Sequence, residues 1–250
     1  MNAGRRPAAI VYGRNPVREA LLAGTSVRKL LVADGLQQDD RLREIFELAG
    51  KQTVELETVD RRRLDDVAHT QAHQGVVAYI GRRQYLELED LISAVTDDSV
   101  VLVLDGIQDP QNLGSICRSA EAAGVAGVVF PRHRAAEVTP AVAKASAGAV
   151  EYLSLVQVAG IPQTLERLKK AGFWVVGLAA ESSTLHYQAR LTGKLAVVVG
   201  AEGEGLHRLA AERCDQLLRL PMLGRVASLN AAAATVVVLY EALRQRAAGG

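Results

Sequence analysis

Three polar stretches of this chain, the first two each following a run of apolar residues, carry side chains able to hold an anion, orient a hydroxyl or bring backbone close to a ligand. The first is Leu104-Asp105-Gly106-Ile107-Gln108-Asp109-Pro110-Gln111-Asn112-Leu113-Gly114-Ser115-Ile116-Cys117-Arg118. Asn112 is placed to cap a helix that displays Arg118, although a turn, a cap and a surface arginine would read the same way. The second, Gly200-Ala201-Glu202-Gly203-Glu204-Gly205-Leu206, sets three glycines behind a valine run. Glycine lets backbone approach a ligand or take a positive φ. The spacing is neither the G-x-G-x-x-G of dinucleotide sites nor a phosphate loop. A carboxylate such as Glu202 at a helix start is itself a common stabilising device. The third stretch, Leu218 to Asn230, leads into an alanine-rich helix. Its non-helical backbone can bind the edge of an adenine, and Ser228 and Asn230 stand where the helix begins.

These stretches need elements to hold them. Apolar, β-branched runs at Val100–Leu104, Val125–Phe130, Trp174–Leu178 and Leu195–Val199 read as strands buried on both faces. Helical patterns over 113–123, 162–171 and 204–213 separate them, which is the grammar of a parallel sheet with helices on both sides. A long helix is expected from Ser228 to Arg246. In open parallel sheets, ligands bind beyond the carboxyl ends of the strands, where all three stretches fall. The N-terminal part alternates strands (Ala9–Tyr12, Lys29–Ala33, Thr53–Leu56, Gln74–Tyr79) with helices opening at Asn15-Pro16, spanning 37–49, and starting at Asp60. Residues 83–98, acidic at Glu87-Leu88-Glu89-Asp90, read as the connection, with room for one short helix. The expected organisation is therefore α/β throughout, with a small domain over 1–82, a linker over 83–98 and a larger parallel-sheet domain over 99–250.

Composition narrows the classes. At 250 residues, 49% hydrophobic and 23% charged, the chain is expected to be a folded, soluble protein. Its longest apolar run, Ala231 to Tyr240, is half a membrane span, and Tyr12, Gly13 and Arg14 interrupt any leader at the start. Two cysteines far apart, Cys117 and Cys214, fit a reducing cytoplasmic setting. His69 and His73 lie four apart without the intervening glutamate or a third ligand, so no metal site is expected. There is no G-x-S-x-G elbow, and Cys117 has no histidine near it in sequence. Net charge is only +1, so any polyanion contact must be local. Residues 1–83 hold 14 Lys/Arg against 11 Asp/Glu, a weak basic bias to which Arg14, Arg18, Arg61, Arg62, Arg63, Arg82 and Arg83 contribute as candidate polyanion contacts. With ten aromatics in the chain, phosphate contacts are expected to outweigh ring stacking at any such patch.

Taken together, the three stretches resemble the SpoU (TrmH-like) class of SPOUT RNA methyltransferases. The motif N-x-G-x-x-x-R stands as Asn112 to Arg118, the second motif as Gly200 to Leu206, and the third as Leu220-Pro221-Met222 with Ser228-Leu229-Asn230. The resemblance covers residues 100–246. Val11 to Val17 and His73 to Ala78 look like the extra domain of the branch acting on large-subunit (23S) ribosomal RNA, a domain similar to ribosomal protein L30e. The resemblance implies a C-terminal domain tied in a deep trefoil knot, an exception to the rule of unknotted chains. It also implies a homodimer with the site near the subunit interface, and S-adenosylmethionine as cofactor. The implied reaction is methyl transfer to a ribose 2′-hydroxyl of a guanosine, in ribosomal RNA or an assembling large subunit. By the same resemblance Asn112, Arg118, Glu202, Ser228 and Asn230 form the catalytic group. Gly200, Ala201, Leu220, Pro221, Met222 and Leu229 would hold the cofactor. The family often has Val-Ser after the last asparagine, where this chain has Ala231-Ala232. Transfer RNA as substrate, a non-enzymatic RNA-binding assembly protein, and a nucleotide-dependent oxidoreductase are the alternatives, the last disfavoured by the absent glycine fingerprint.

Overall fold

The computed structural model describes residues 9–133, 135–226 and 228–248, so the basic start of the chain lies outside them. The chain forms two compact units. One takes in residues up to Gln84 together with Val138–Tyr152, and the other Tyr85–Glu137 together with the residues from Leu153 onward.

The first unit has four strands, β1 (Ala9–Tyr12), β2 (Val27–Ala33), β3 (Glu55–Val59) and β4 (Val76–Ile80), in the order β1-β4-β2-β3. β2 and β3 run parallel, while β4 is antiparallel to both β1 and β2. Three helices, α1 (Arg14–Leu22), α2 (Asp40–Lys51) and α3 (Arg61–Ala68), connect them. Tyr12, Leu31, Leu64 and Val77 share the core between the sheet and α3. Asp39 and Asp60 cap α2 and α3 by accepting the Leu42 and Arg63 N–H groups. Asn15, expected to cap α1, lies inside its first turn. Gly13 precedes the helix at φ 92°, a conformation that costs glycine little. β3 begins two residues later than expected, because Thr53 takes a φ of 56° in the turn after α2 and cannot be extended there.

The second unit opens with α4 (Leu88–Ala94), β5 (Val100–Asp105), α5 (Pro110–Ala122) and β6 (Gly127–Pro131). After β6 the chain passes to the first unit, where it forms α6 (Pro140–Ala145) and a 3-10 turn at Ala149–Glu151. It resumes in the second unit as β7 (Leu155–Val158), α7 (Ile161–Lys170), β8 (Trp174–Leu178), β9 (Leu195–Gly200), α8 (Arg208–Arg213), β10 (Gln216–Leu218) and α9 (Ala231–Ala248). The six strands are all parallel, in the order β10-β8-β9-β5-β6-β7. From β5 the chain winds towards β7, and from β9 it winds towards β10. The crevice between β5 and β9 is thus the point where the winding reverses, the usual seat of a ligand in such sheets. Every residue of both strands is buried.

Two boundaries differ from the sequence reading. The short helix of the 83–98 connection is α4, and it is not a free linker, since its Leu88 and Leu91 are each 2% exposed in the core of the second unit. Those leucines are three apart, on the covered side of a helix whose other side carries the acids. Residues 138–152, expected in the larger domain, pack with the smaller unit. There Glu151, whose side chain is 2% exposed, is ion-paired with Arg83 and accepts the Thr25 hydroxyl at 2.9 Å. Glu151→Ala would strand the Arg83 guanidinium in a mostly buried place. It is expected to lower stability in urea unfolding by about 3 kcal/mol. Glu44→Ala, which removes the half-exposed partner of Arg18, should cost under about 1 kcal/mol.

Candidate active site

The residues expected at the site are carried by three loops at the carboxyl ends of β5, β9 and β10. After β5, Asp109 caps α5 by accepting the N–H groups of Gln111 and Asn112, each at 3.1 Å, and Pro110 starts the helix. Asn112 is therefore not the cap that the sequence suggested. Its side-chain amide is free to reach across and donates to Glu202 Oε2 at 3.3 Å. This contact joins the first and second motifs across ninety residues of chain. Arg118 lies further along α5, exposed, and its guanidinium has no hydrogen bond or ion pair among the described residues.

After β9 the chain closes a small loop on itself. The Gly205 N–H donates to Ala201 O at 2.9 Å, and Gly203 and Gly205 take φ values of 81° and 68°. A Cβ on Gly200 would stand 2.1 Å from the Gly205 carbonyl and 2.4 Å from the Leu206 nitrogen. The backbone that Gly200 admits is thus the chain's own. Glu202 and Glu204 are carried outward on this loop and are exposed.

After β10 and the Leu185–Arg219 bridge, residues 220–226 and 228–229 run without regular structure towards α9. Asn230 caps that helix, its Oδ1 accepting the Ala233 N–H at 2.8 Å, so the helix starts three residues later than expected. Ala231 and Ala232 are buried in its first turn, at 5% and 7% exposure.

The loops after β8, β9 and β10 enclose a cleft of about 910 Å3, counting its open mouth. Of the expected cofactor residues, Gly200, Ala201, Leu220, Met222 and Leu229 line it, together with Glu202 and Ser228. Pro221, Asn112, Arg118 and Asn230 do not. Leu178, Val199 and Leu218 give apolar walls, and residues of the second and third loops complete the lining. That combination suits a flat heteroaromatic ring with a polar tail. Sequence reasoning missed the segment Leu178–Glu181 and Arg219, which also line the cleft. The signal was available, since Trp174–Leu178 read as a strand of the same sheet and its carboxyl end must reach the same edge.

The arginines of the first unit fall into two groups. Arg14 pairs with Asp39, Arg18 with Glu44 and Glu19, and Arg83 with Glu151, so their charge is answered within the unit. The hydrogen bonds to Glu44 and Glu19 raise the Arg18 pKa, and the same Arg18 contact holds the Glu44 carboxyl below its ordinary range. Arg61, Arg62, Arg63 and Arg82 are exposed, and their side chains have no partner among the described residues. Arg14, Arg41 and Arg61 line one concavity with Gln74. His73 is buried and structural. Its Nδ1 accepts the Gly75 N–H at 3.0 Å while Nε2 lies 2.8 Å from Asp65. Burial pushes the Cys214 thiol up to about 12, which leaves it protonated at neutral pH.

Residues 99–240 match the SpoU rRNA Methylase family, and residues 10–86 match the family of RNA 2′-O ribose methyltransferase substrate-binding domains. A Staphylococcus aureus protein named as a putative TrmH family tRNA/rRNA methyltransferase is 38% identical, over 95% of this chain and 96% of its own length. Among solved structures, the SpoU methyltransferase AviRb from Streptomyces viridochromogenes, in complex with AdoMet, superposes with a TM-score of 0.81 at 27% identity, covering 96% of this chain and 91% of its own. An RNA 2′-O ribose methyltransferase superposes with a TM-score of 0.79 at 26% identity, covering 95% of this chain and 88% of its own.

Proposed function

The chain belongs to the SpoU rRNA methylase family, and we propose that it transfers a methyl group from S-adenosylmethionine to a ribose 2′-hydroxyl, that of a guanosine in large-subunit (23S) ribosomal RNA. The observation that carries this reading is the cleft at the carboxyl ends of β8, β9 and β10, whose walls come from the second and third motifs, with the Asn112–Glu202 hydrogen bond tying the first motif to the second.

The cofactor supplies a methyl group on a sulfonium, already activated for transfer. The protein's part is therefore alignment and management of one proton. Leu178, Val199 and Leu218 would cover the adenine, with backbone groups from Gly200 to Leu206 and from Leu220 to Met222 at its polar edge. Arg118 cannot serve as the base, because a guanidinium stays protonated. Exposed and unpartnered, it is suited to clamp a phosphate beside the target ribose or to stabilise the developing alkoxide. Glu202 is held by Asn112 and holds it in turn. Ser228 faces the cleft, and Asn230 fixes the start of α9 beside it.

The first unit would bind the RNA through Arg61, Arg62, Arg63 and Arg82, with the Arg14 concavity alongside. A homodimer follows from the same reading. α9 leaves Val237 and Tyr240 at 37% and 50% exposure on one side, and Leu223 before it is 98% exposed, an apolar surface suited to a second copy. The trefoil knot and a cytoplasmic place of work belong to this reading too. No helix among the described residues is long and apolar enough to cross a membrane.

Transfer RNA is a second substrate reading, favoured by the Staphylococcus relative, whose name covers both RNAs. Purified protein given methyl-labelled S-adenosylmethionine, with large-subunit ribosomal RNA and total tRNA in parallel, decides between them. Label in the ribosomal RNA is the expected result. Label in tRNA alone would keep the chemistry and reassign the substrate.

A further inference from the structure

We propose that the Asp105–His207 pair is the proton acceptor for the attacking hydroxyl, with His207 Nε2 as the atom that receives the proton. This rests on the methyltransferase reading and supplies the base which Arg118 cannot be.

Asp105 is the last residue of β5 and is 5% exposed at the crevice. Both of its oxygens are committed to one residue, 102 positions away: Oδ2 accepts the His207 backbone N–H at 2.8 Å, and Oδ1 lies 2.9 Å from the ring Nδ1. A carboxylate at Nδ1 fixes the tautomer, since it can only accept. Nδ1 therefore carries the hydrogen, and the Nε2 lone pair is left free. The same carboxylate would stabilise the imidazolium once a proton arrives, as in other Asp–His pairs.

The ring stands beside the cleft, next to the lining loop and not within the lining itself. His207 follows Leu206, the last residue of the cleft-lining loop, and its side chain is 63% exposed. A Cβ on Gly106 would stand 3.0 Å from His207 Cε1 and 3.8 Å from the Ala201 Cβ. The imidazole thus shares one small space with the turn into α5 and the loop carrying Glu202. The other acids of the first two motifs are otherwise engaged or fully solvated. Glu202 accepts from Asn112, Asp109 accepts two backbone N–H groups, and Glu204 stands exposed. Imidazole is the side chain suited to exchanging a proton near neutral pH.

In the step, the hydroxyl O–H bond breaks with its proton passing to Nε2. The oxygen–carbon bond forms as the carbon–sulfur bond breaks with its electron pair on sulfur. The products are a 2′-O-methyl ribose, a neutral thioether and an imidazolium paired with Asp105.

The test is single-turnover methyl transfer to the RNA that the wild-type protein labels. His207→Asn keeps an amide to donate to Asp105 but cannot take a proton. It is expected to lower the transfer rate about 100-fold, with affinity for S-adenosylmethionine and for RNA within about twofold. His207→Gly, which opens a solvent-facing gap at an exposed position, is expected to regain rate as free imidazole is added, a response that a structural role would not give. Transfer by His207→Asn within about threefold of wild type would overturn the proposal. So would a loss that tracks weaker RNA or cofactor binding without imidazole rescue. Failure of the wild-type protein to label any RNA would instead remove the methyltransferase reading itself, and the proposal with it.

Discussion

Arg118→Ala is expected to lower methyl transfer by about 100- to 1000-fold while leaving affinity for S-adenosylmethionine within about twofold. The reason is where the residue sits. Arg118 lies on the exposed side of α5, outside the cofactor cleft, and its guanidinium answers no charge of the protein's own among the described residues. Removing it should neither unfold α5 nor open the cleft. α5 is anchored by the buried Leu113, Ile116 and Cys117 and capped by Asp109. An effect confined to turnover, measured by single-turnover transfer beside calorimetric cofactor titration, places the residue at the RNA. Arg118→Lys sharpens the point. A planar bidentate clamp is lost when the guanidinium becomes an ammonium, so lysine should recover only a small part of the rate. Near-normal turnover with lysine would show that a point charge suffices.

Gly200→Ala is expected to lower cofactor affinity by at least about 100-fold, roughly 2.8 kcal/mol. The methyl would fall 2.1 Å from the backbone carbonyl of Gly205, where there is no flexible side chain to move aside. The loop must then open, and with it go the positions of Ala201, Glu202 and Leu206 in the cleft wall. Gly203→Ala is the informative comparison. Gly203 has a φ of 81° but open space around its Cβ position. Alanine there meets only the backbone preference, about 1–2 kcal/mol, and should bind the cofactor with a far smaller loss. Equal losses at the two positions would mean that loop flexibility, rather than close backbone packing, governs binding.

How far the fold could be read from sequence depended on what each element buries. β8 is found where its run of apolar residues lies, Trp174–Leu178, and β9 extends its run by one residue, because strands covered on both faces must be apolar throughout. β7 and β10 escaped notice. They are edge strands of four and three residues, Leu-Val-Gln-Val and Gln-Leu-Leu, too short and too mixed to stand out. Helix starts were misplaced where two capping residues competed. Asp109 took the role expected of Asn112, and Asn230 took that of Ser228. The motifs led to the cleft, but the partners of long side chains were hidden. Arg18 with Glu44 and Arg83 with Glu151 are 26 and 68 residues apart, and nothing local marks either pair. For the same reason Asp105 and His207 could be joined only once β5 and α8 were placed.

The most direct test of the central claim is the chemical identity of the methylated product. RNA labelled by the protein from S-adenosylmethionine would be digested to nucleosides and the labelled species identified. The account predicts a 2′-O-methyl nucleoside, formed about 100- to 1000-fold more slowly after Arg118→Ala. Label on a base, or no label in any RNA while the cofactor binds in its cleft, would contradict it.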